Sequence, residues 1–258
     1  MKSTLQRAGL LTAVLTLSLA STVSQARTDD TSKPVLLVHG YDVAQTGLDC
    51  SSYFSGTITK LKAMGYTKIV TVGYYSSDRN CSVNLRNFDN TLSNNSTWKQ
   101  IGKAFAAYVN QTYTSTGQVV DAIGHSMGGL IIRGAIQGGY EGLAGFQSMM
   151  IEDAVTIATP HQGATLAAVC LSAQCRAMQS GSADLKWLAT NGNPQSLIPT
   201  DWTVTGSSMD GVVSLSSAMG MTLDTAHKAQ FAGLTHMGIL SNDSANTRAG
   251  NAALYGNQ

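Results

Sequence analysis

Residues 119–132 read Val-Val-Asp-Ala-Ile-Gly-His-Ser-Met-Gly-Gly-Leu-Ile-Ile, and no other stretch constrains the fold as strongly. Val119 to Ile123 is short, β-branched and mostly apolar, as a strand buried on both faces must be. Leu130, Ile131, Ile132, Ala135 and Ile136 then supply the buried stripe of a helix. Between them lies Gly124-His125-Ser126-Met127-Gly128. A strand that turns this sharply into a helix strains the central residue and lifts its side chain clear of the sheet. Positions two before and two after it nearly collide, and Gly124 and Gly128 have no side chains to clash. A helix starting at Met127 aims its free N–H groups and dipole at Ser126, which suits an oxygen gaining negative charge.

Met1 to Ala26 has the features of a secretory leader: Lys2 and Arg7, an apolar run from Ala8 to Ala20, and small residues at Ser24-Gln25-Ala26. The run is short of the roughly 20 residues that span a bilayer. Removing 26 of the 258 residues leaves 27–258, enough for one α/β domain. That remainder carries fourteen basic and fifteen acidic residues. The lack of a Lys or Arg run and the low charged share of 12% argue against a nucleic-acid partner. Without an apolar span beyond residue 26, the product is expected to be exported, soluble and monomeric.

Four cysteines in an exported chain imply two disulfides, with three pairings possible. Cys50 and Cys81 each follow the carboxyl end of a strand, and those strands are expected to be neighbours. Cys170 and Cys175 are five apart and close a small loop. The favoured pairs are therefore Cys50–Cys81 and Cys170–Cys175. A zinc centre is not expected, because no C-x-x-C or H-E-x-x-H occurs.

In chain order, Pro34 to Val38 is a buried strand ending in His39-Gly40-Tyr41-Asp42. An apolar strand running into His-Gly resembles the oxyanion loop of an α/β-hydrolase. Tyr41 N–H and Met127 N–H would then be its two donors, with His39 a structural residue. The spacing predicts a helix over Tyr53–Met64 capped by Gly65, a strand over Lys68–Val72, a polar loop over 73–96 and a helix over Thr97–Tyr113. After the elbow helix, Gly138-Gly139 breaks the pattern, Ile151–Ile157 returns as a strand, and helical pieces follow near Leu166–Leu171 and Ala183–Leu188. Met178, Trp187, Leu188, Leu197 and Ile198 in this segment suit either a helix core or the wall of an acyl pocket. Such alternation implies a parallel sheet covered on both faces, with reactive groups at the strands' carboxyl ends.

Trp202 to Val204 is a further strand, and Asp210-Gly211-Val212-Val213 follows it. His236 lies on a loop before a short apolar helix. A serine hydroxyl needs an imidazole to take its proton, and the imidazole needs a carboxylate to fix its tautomer. Ser126, Asp210 and His236 supply these in the order of the α/β-hydrolases. Competing acids are Asp201 and Asp224, with Asp153 facing the wrong way along its strand; competing histidines are His125, His161 and His227.

The ordered set P-V-L-L-V-H-G, G-H-S-M-G-G, T-P-H-x-G, M-D-G-V-V and H-M-G-I-L resembles the small secreted bacterial lipases of the class 2 lipase family, over most of residues 34 to 240. The resemblance implies a compact α/β-hydrolase fold, hydrolysis of carboxylic esters including acylglycerols, and no cofactor. By position it matches Ser126, Asp210 and His236 to the triad and Tyr41 and Met127 to the oxyanion donors. Residues 164–200 have no counterpart in the smallest members, and the elbow also resembles that of secreted polyester hydrolases. The expected substrate is an ester or lipid, met at a lipid–water interface. A polyesterase, a short-chain carboxylesterase and an inactive hydrolase-fold binding protein are the alternatives.

Overall fold

A computed structural model of the chain describes residues 29–165, 167 and 171–256. The leader expected over 1–26 and Cys170 lie outside them, as does most of the helical piece expected near 166–171. Seven strands, β1 (Val35–Val38), β2 (Ile69–Gly73), β3 (Val83–Asn84), β4 (Val120–His125), β5 (Ile151–Ile157), β6 (Asp201–Ser207) and β7 (Lys228–Phe231), form one sheet in the order β3-β2-β1-β4-β5-β6-β7. Every pairing is parallel. The chain runs outward from β1 to β3 and then crosses back to β4. This reversal opens a crevice at the carboxyl ends of β1 and β4, where ligands of such sheets bind. This is the α/β-hydrolase fold.

Alternation along the central strands divides the core. Val35 and Leu37 pack with Ile123 and Val155 beneath α2 (Ser55–Ala63) and α8 (Asp243–Tyr255). Leu36 and Val38 face the other way and pack with Phe105, Leu130, Ile131 and Trp202 beneath α3 (Trp98–Thr112) and α4 (Met127–Tyr140). The α3 boundary follows from Thr97, whose side chain forms a reciprocal capping box with Gln100.

Two expectations need correction, and one open alternative is resolved. The helix expected over 53–64 is two helices, α1 (Cys50–Tyr53) and α2, because Asp49 caps a separate first turn and Phe54 leaves helical geometry between them. Gly138 and Gly139 lie inside α4 and do not end it. A Cβ at Gly138 would fall 2.4 Å from Phe146, and one at Gly139 2.8 Å from the Gln147 carbonyl, so these glycines permit close packing. Trp187 belongs to the core alternative: it stacks 6.2 Å from Trp98, donates to Glu141 at 2.8 Å and lies under Lys99. Met178 is buried in the same core.

Cys50 and Cys81 form a disulfide across the loops that follow β1 and β2, with Cα atoms 5.0 Å apart. Strand adjacency brings the two cysteines together, since β1 and β2 pair directly.

At the opposite, amino-terminal end of the sheet, the Lys33 ammonium lies 2.9 Å from Asp121, 2.5 Å from Glu152 and 3.7 Å from Asp153, all of them buried. Burial holds the Asp121 carboxyl well above the ordinary range even beside Lys33. A proton kept there favours the fold at acid pH, and that advantage is lost as the pH rises through the raised value. Lys33→Ala leaves the acids uncompensated and is expected to lower unfolding stability by about 3–5 kcal/mol, as breaking a buried pair does. The deficit should be larger at pH 8 than at pH 5, because Asp121, held above its ordinary range, ionises as the pH rises. Urea unfolding at both pH values measures it, and a deficit that shrinks with pH contradicts this account of the cluster.

Candidate active site

Ser126 sits between β4 and α4 with φ 55° and ψ −126°, a strained conformation for a residue with a side chain. Its amide donates to the Ile157 carbonyl at 2.8 Å, and its carbonyl accepts from the Thr159 hydroxyl at 2.9 Å, so β5 and the loop after it hold the turn. A Cβ at Gly124 would lie 2.5 Å from the Gly129 nitrogen. One at Gly128 would lie 2.0 Å from the Val38 carbonyl. The collision within the elbow is therefore real at Gly124, whereas Gly128 yields to β1.

The loops after β6 and β7 bring two more side chains to this turn. His236 Nε2 is 2.9 Å from Ser126 Oγ, and His236 Nδ1 is 2.7 Å from Asp210 Oδ2. The other carboxylate oxygen of Asp210 accepts the Val212 and Val213 amides at 2.8 and 2.9 Å. Burial alone would raise the Asp210 carboxyl, but the hydrogen bond with His236 and the two amides outweigh it and hold it below its ordinary value. An anion is thus fixed against Nδ1. The tautomer it selects leaves Nε2 free to accept a proton from the serine hydroxyl.

The competing residues lie elsewhere. Asp201 and Asp224 both pair with His227, at 3.1 and 2.5 Å. Asp153 belongs to the Lys33 cluster at the other end of the sheet. His161 is buried between Thr156 at 3.0 Å and Arg133 at 3.2 Å, and burial together with the guanidinium pushes it well below its ordinary pKa. His125, inside the elbow, contacts Tyr53 and the His236 backbone but not the Ser126 hydroxyl.

The loop after β1 closes the other side of the site. Among the described residues neither the Tyr41 nor the Met127 N–H has a hydrogen-bond acceptor; Met127 is the first residue of α4, where such donors are unused by the helix. His39 is structural, as expected, with Nδ1 2.9 Å from the Gly40 carbonyl and Nε2 3.0 Å from Asp78. Asp78 also accepts the Leu48, Tyr74 and Tyr75 amides at 2.7, 2.6 and 2.8 Å. Burial would raise Asp78, and His39 with these amides more than offsets it. Asp78 and the Tyr53 hydroxyl escaped the sequence reading. Each lies in a segment whose local pattern is an ordinary loop or helix, and nothing there signals a contact with His39 or His125.

A family model described as palmitoyl protein thioesterase matches residues 34–203, well over half of the chain. The chain belongs to the palmitoyl protein thioesterase family. The region matched to palmitoyl protein thioesterase contains Tyr41, Ser126 and Met127; Asp210 and His236 follow it. No curated protein matches the chain. Several solved structures share its fold. Lipase B of Aspergillus fumigatus aligns with a TM-score of 0.59 at 17% identity, covering 86% of this chain and 52% of that one. The mature lipase BlEst2 of Bacillus licheniformis aligns at 0.57 and 16% identity, over 86% of this chain and 92% of the lipase. Phospholipase PlaB of Legionella pneumophila aligns at 0.56 and 17% identity, over 87% of this chain. The chain spans 57% of that phospholipase's length. At these identities the likeness is one of fold.

Proposed function

We propose that this chain is an exported serine hydrolase that cleaves carboxylic esters and thioesters of fatty acids, most of all as a lipase. The observation that carries the reading is the unbroken hydrogen-bonded chain Ser126–His236–Asp210 at the topological switch point. Ser126 Oγ attacks the acyl carbon while its proton passes to His236 Nε2. The Tyr41 and Met127 N–H groups hold the oxyanion. Its collapse expels the alcohol or thiol, which leaves with the proton from His236. Water then attacks the acyl-enzyme by the same route, and no cofactor enters either step.

Two further observations support the substrate class and the compartment. Val43, Leu171, Met209 and Met237 are large exposed apolar residues within two sequence positions of Tyr41, Ser172, Asp210 and His236 respectively. The Ser172 hydroxyl is 3.0 Å from that of Tyr41, so this segment meets the oxyanion loop. Exposed apolar side chains on the loops that carry the site suit a lipid–water interface. The Cys50–Cys81 disulfide and the leader expected over 1–26 support export. Among the described residues no helix is long and apolar enough to cross a membrane. We include in the reading a second disulfide, Cys170–Cys175, and a monomer.

A substrate panel tests the proposal: p-nitrophenyl butyrate, emulsified trioctanoylglycerol, a palmitoyl-cysteine peptide and polyester film. The emulsified ester and the palmitoyl thioester should be turned over, with rates that rise with lipid surface area. Confinement of activity to the butyrate ester would make the protein a short-chain esterase. Absence of turnover on all four would make it a hydrolase-fold binding protein.

A further inference from the structure

The proposed mechanism uses neither Tyr53 nor His125, yet Tyr53 touches the oxyanion loop and His125 touches the His236 loop. Tyr53 ends the four-residue helix α1, three residues after the disulfide-bonded Cys50. Its hydroxyl is 3.1 Å from the Gly40 nitrogen and 2.6 Å from His125 Nδ1. His125 Nε2 is 2.9 Å from the backbone carbonyl of His236. A carbonyl only accepts, so the ring proton is on Nε2 and donates to His236. Burial, with His236 nearby, pushes His125 down to about 3, so the ring holds that single proton across the working range. Nδ1 is therefore an acceptor, the Tyr53 O–H donates to it, and the Tyr53 oxygen accepts the Gly40 N–H. The donors run in one direction, from Gly40 through Tyr53 to His125 and separately from His125 to His236.

The Gly40–Tyr41 peptide is held from its other side as well. Its carbonyl accepts the Tyr74 hydroxyl at 2.5 Å and lies 2.9 Å from His39 Nδ1. In a planar trans peptide the N–H points opposite to the C=O, so this anchor aims the Tyr41 N–H. The Tyr53 hydroxyl fixes the preceding amide. A Cβ at Gly40 would lie 2.7 Å from the Tyr53 oxygen and 2.8 Å from Ser126 Cβ, so the three groups meet at one point.

We propose that Tyr53 and His125 are positioning residues which lock the oxyanion loop and the His236 loop to the elbow as one unit. The proposal rests on the serine-hydrolase reading and adds a requirement to it: the donor at Tyr41 and the base at His236 keep their places through a shared hydrogen-bonded link. Neither residue touches the reacting atoms.

The test compares wild type with Tyr53→Phe, His125→Ala, His125→Gln, His125→Asn and the double variant Tyr53→Phe/His125→Gln. The readouts are kcat and KM on p-nitrophenyl butyrate, inhibition by phenylboronic acid and the thermal midpoint. Phenylboronic acid becomes tetrahedral when a serine oxygen adds to boron, so its affinity reports the oxyanion donors. Losing one donor outright costs about 10²–10³ in kcat, so a donor that is loosened but present should cost about 10- to 100-fold. Tyr53→Phe is expected to lower kcat by that factor with KM within about twofold and boronate affinity reduced in parallel. Its midpoint should stay within about 4 °C of wild type. His125→Gln keeps a donor toward His236 and removes the acceptor for Tyr53, while His125→Asn does the reverse. Each should recover part of the rate that His125→Ala loses. The double variant should be no more than about threefold slower than Tyr53→Phe, because the Tyr53–His125 hydrogen bond that His125→Gln breaks is already absent there. Wild-type kcat and boronate affinity in Tyr53→Phe, or effects that multiply fully in the double variant, overturn the proposal. If Tyr53→Phe loses its fold, the His125 pair decides by the same rate and boronate readouts. Failure of the underlying reading has a different signature, a covalent probe recovered on a residue other than Ser126 in wild type.

Discussion

Ser126→Ala is expected to reduce kcat on every ester by about 10⁵–10⁶-fold, the scale seen when a serine nucleophile is removed. A fluorophosphonate probe should label wild type at Ser126 alone and leave the variant unlabelled. The fold should not suffer. Ser126 holds φ at 55°, its main-chain bonds to Ile157 and Thr159 do not involve the hydroxyl, and His236 keeps Asp210. The lost hydroxyl bond to His236 spans 2.9 Å and is partly exposed to water, so the unfolding midpoint should move by no more than a few degrees, about 2–4 °C. Undiminished turnover in the variant, or a label recovered on another serine, would remove Ser126 from the mechanism.

Asp210→Asn should slow kcat by about 10⁴-fold with the protein folded, because the amide imposes the wrong tautomer. The geometry dictates which way that amide points. One side-chain oxygen accepts the Val212 and Val213 amides, and only an oxygen serves there. The NH₂ of asparagine must then face His236 Nδ1, which has to accept. The ring proton moves to Nε2, against the Ser126 hydroxyl, and no acceptor remains for the serine proton. Asp201→Asn and Asp224→Asn should leave the rate unchanged, since both acids pair with His227. A pH profile gives an independent check. With Asp210 held below its ordinary value, it stays anionic while an imidazole titrates. The acid limb of log kcat/KM should therefore fall with a slope of one down to about pH 4, reporting one group. A slope of two above that pH, or a slow Asp224→Asn, would assign the carboxylate elsewhere.

Much of this site is legible along the chain because its parts are local. The elbow needs a buried strand, two small residues and a helix in succession, and all three are consecutive in residues 119–136. The strands at 34–38, 68–72, 119–123, 151–157 and 202–204 are betrayed by their mostly apolar, β-branched runs, since burying a polar side chain there requires a partner such as the one Lys33 gives Asp121 and Glu152. Asp210 is found by its place after such a strand, and His236 by its place after Asp210 and before a short apolar helix. The neighbouring positions of β1 and β2 in a right-handed parallel sheet are enough to suggest Cys50–Cys81.

What the chain does not reveal locally depends on partners far away in sequence. The short edge strands β3 and β7 have one paired neighbour each and partly exposed side chains, so neither carries a buried pattern. α8 packs small alanines and a glycine against α2, a contact that leaves almost no hydrophobic signature. Gly138 looks like a helix end until Phe146 is seen lying against it. The same holds for function. Residue types and their order by themselves determined the fold class and the sharp turn at Ser126, which follow from short-range periodicity, and left Asp210 as the favoured acid beside its competitors Asp201 and Asp224. Only the tertiary structure decided that Asp210 and not Asp224 meets His236, that Asp78 anchors His39, and that Tyr53 joins two loops through His125. Those contacts span 26 to 72 residues, and hydrogen-bond partners at such separations are chosen by the packing of the sheet.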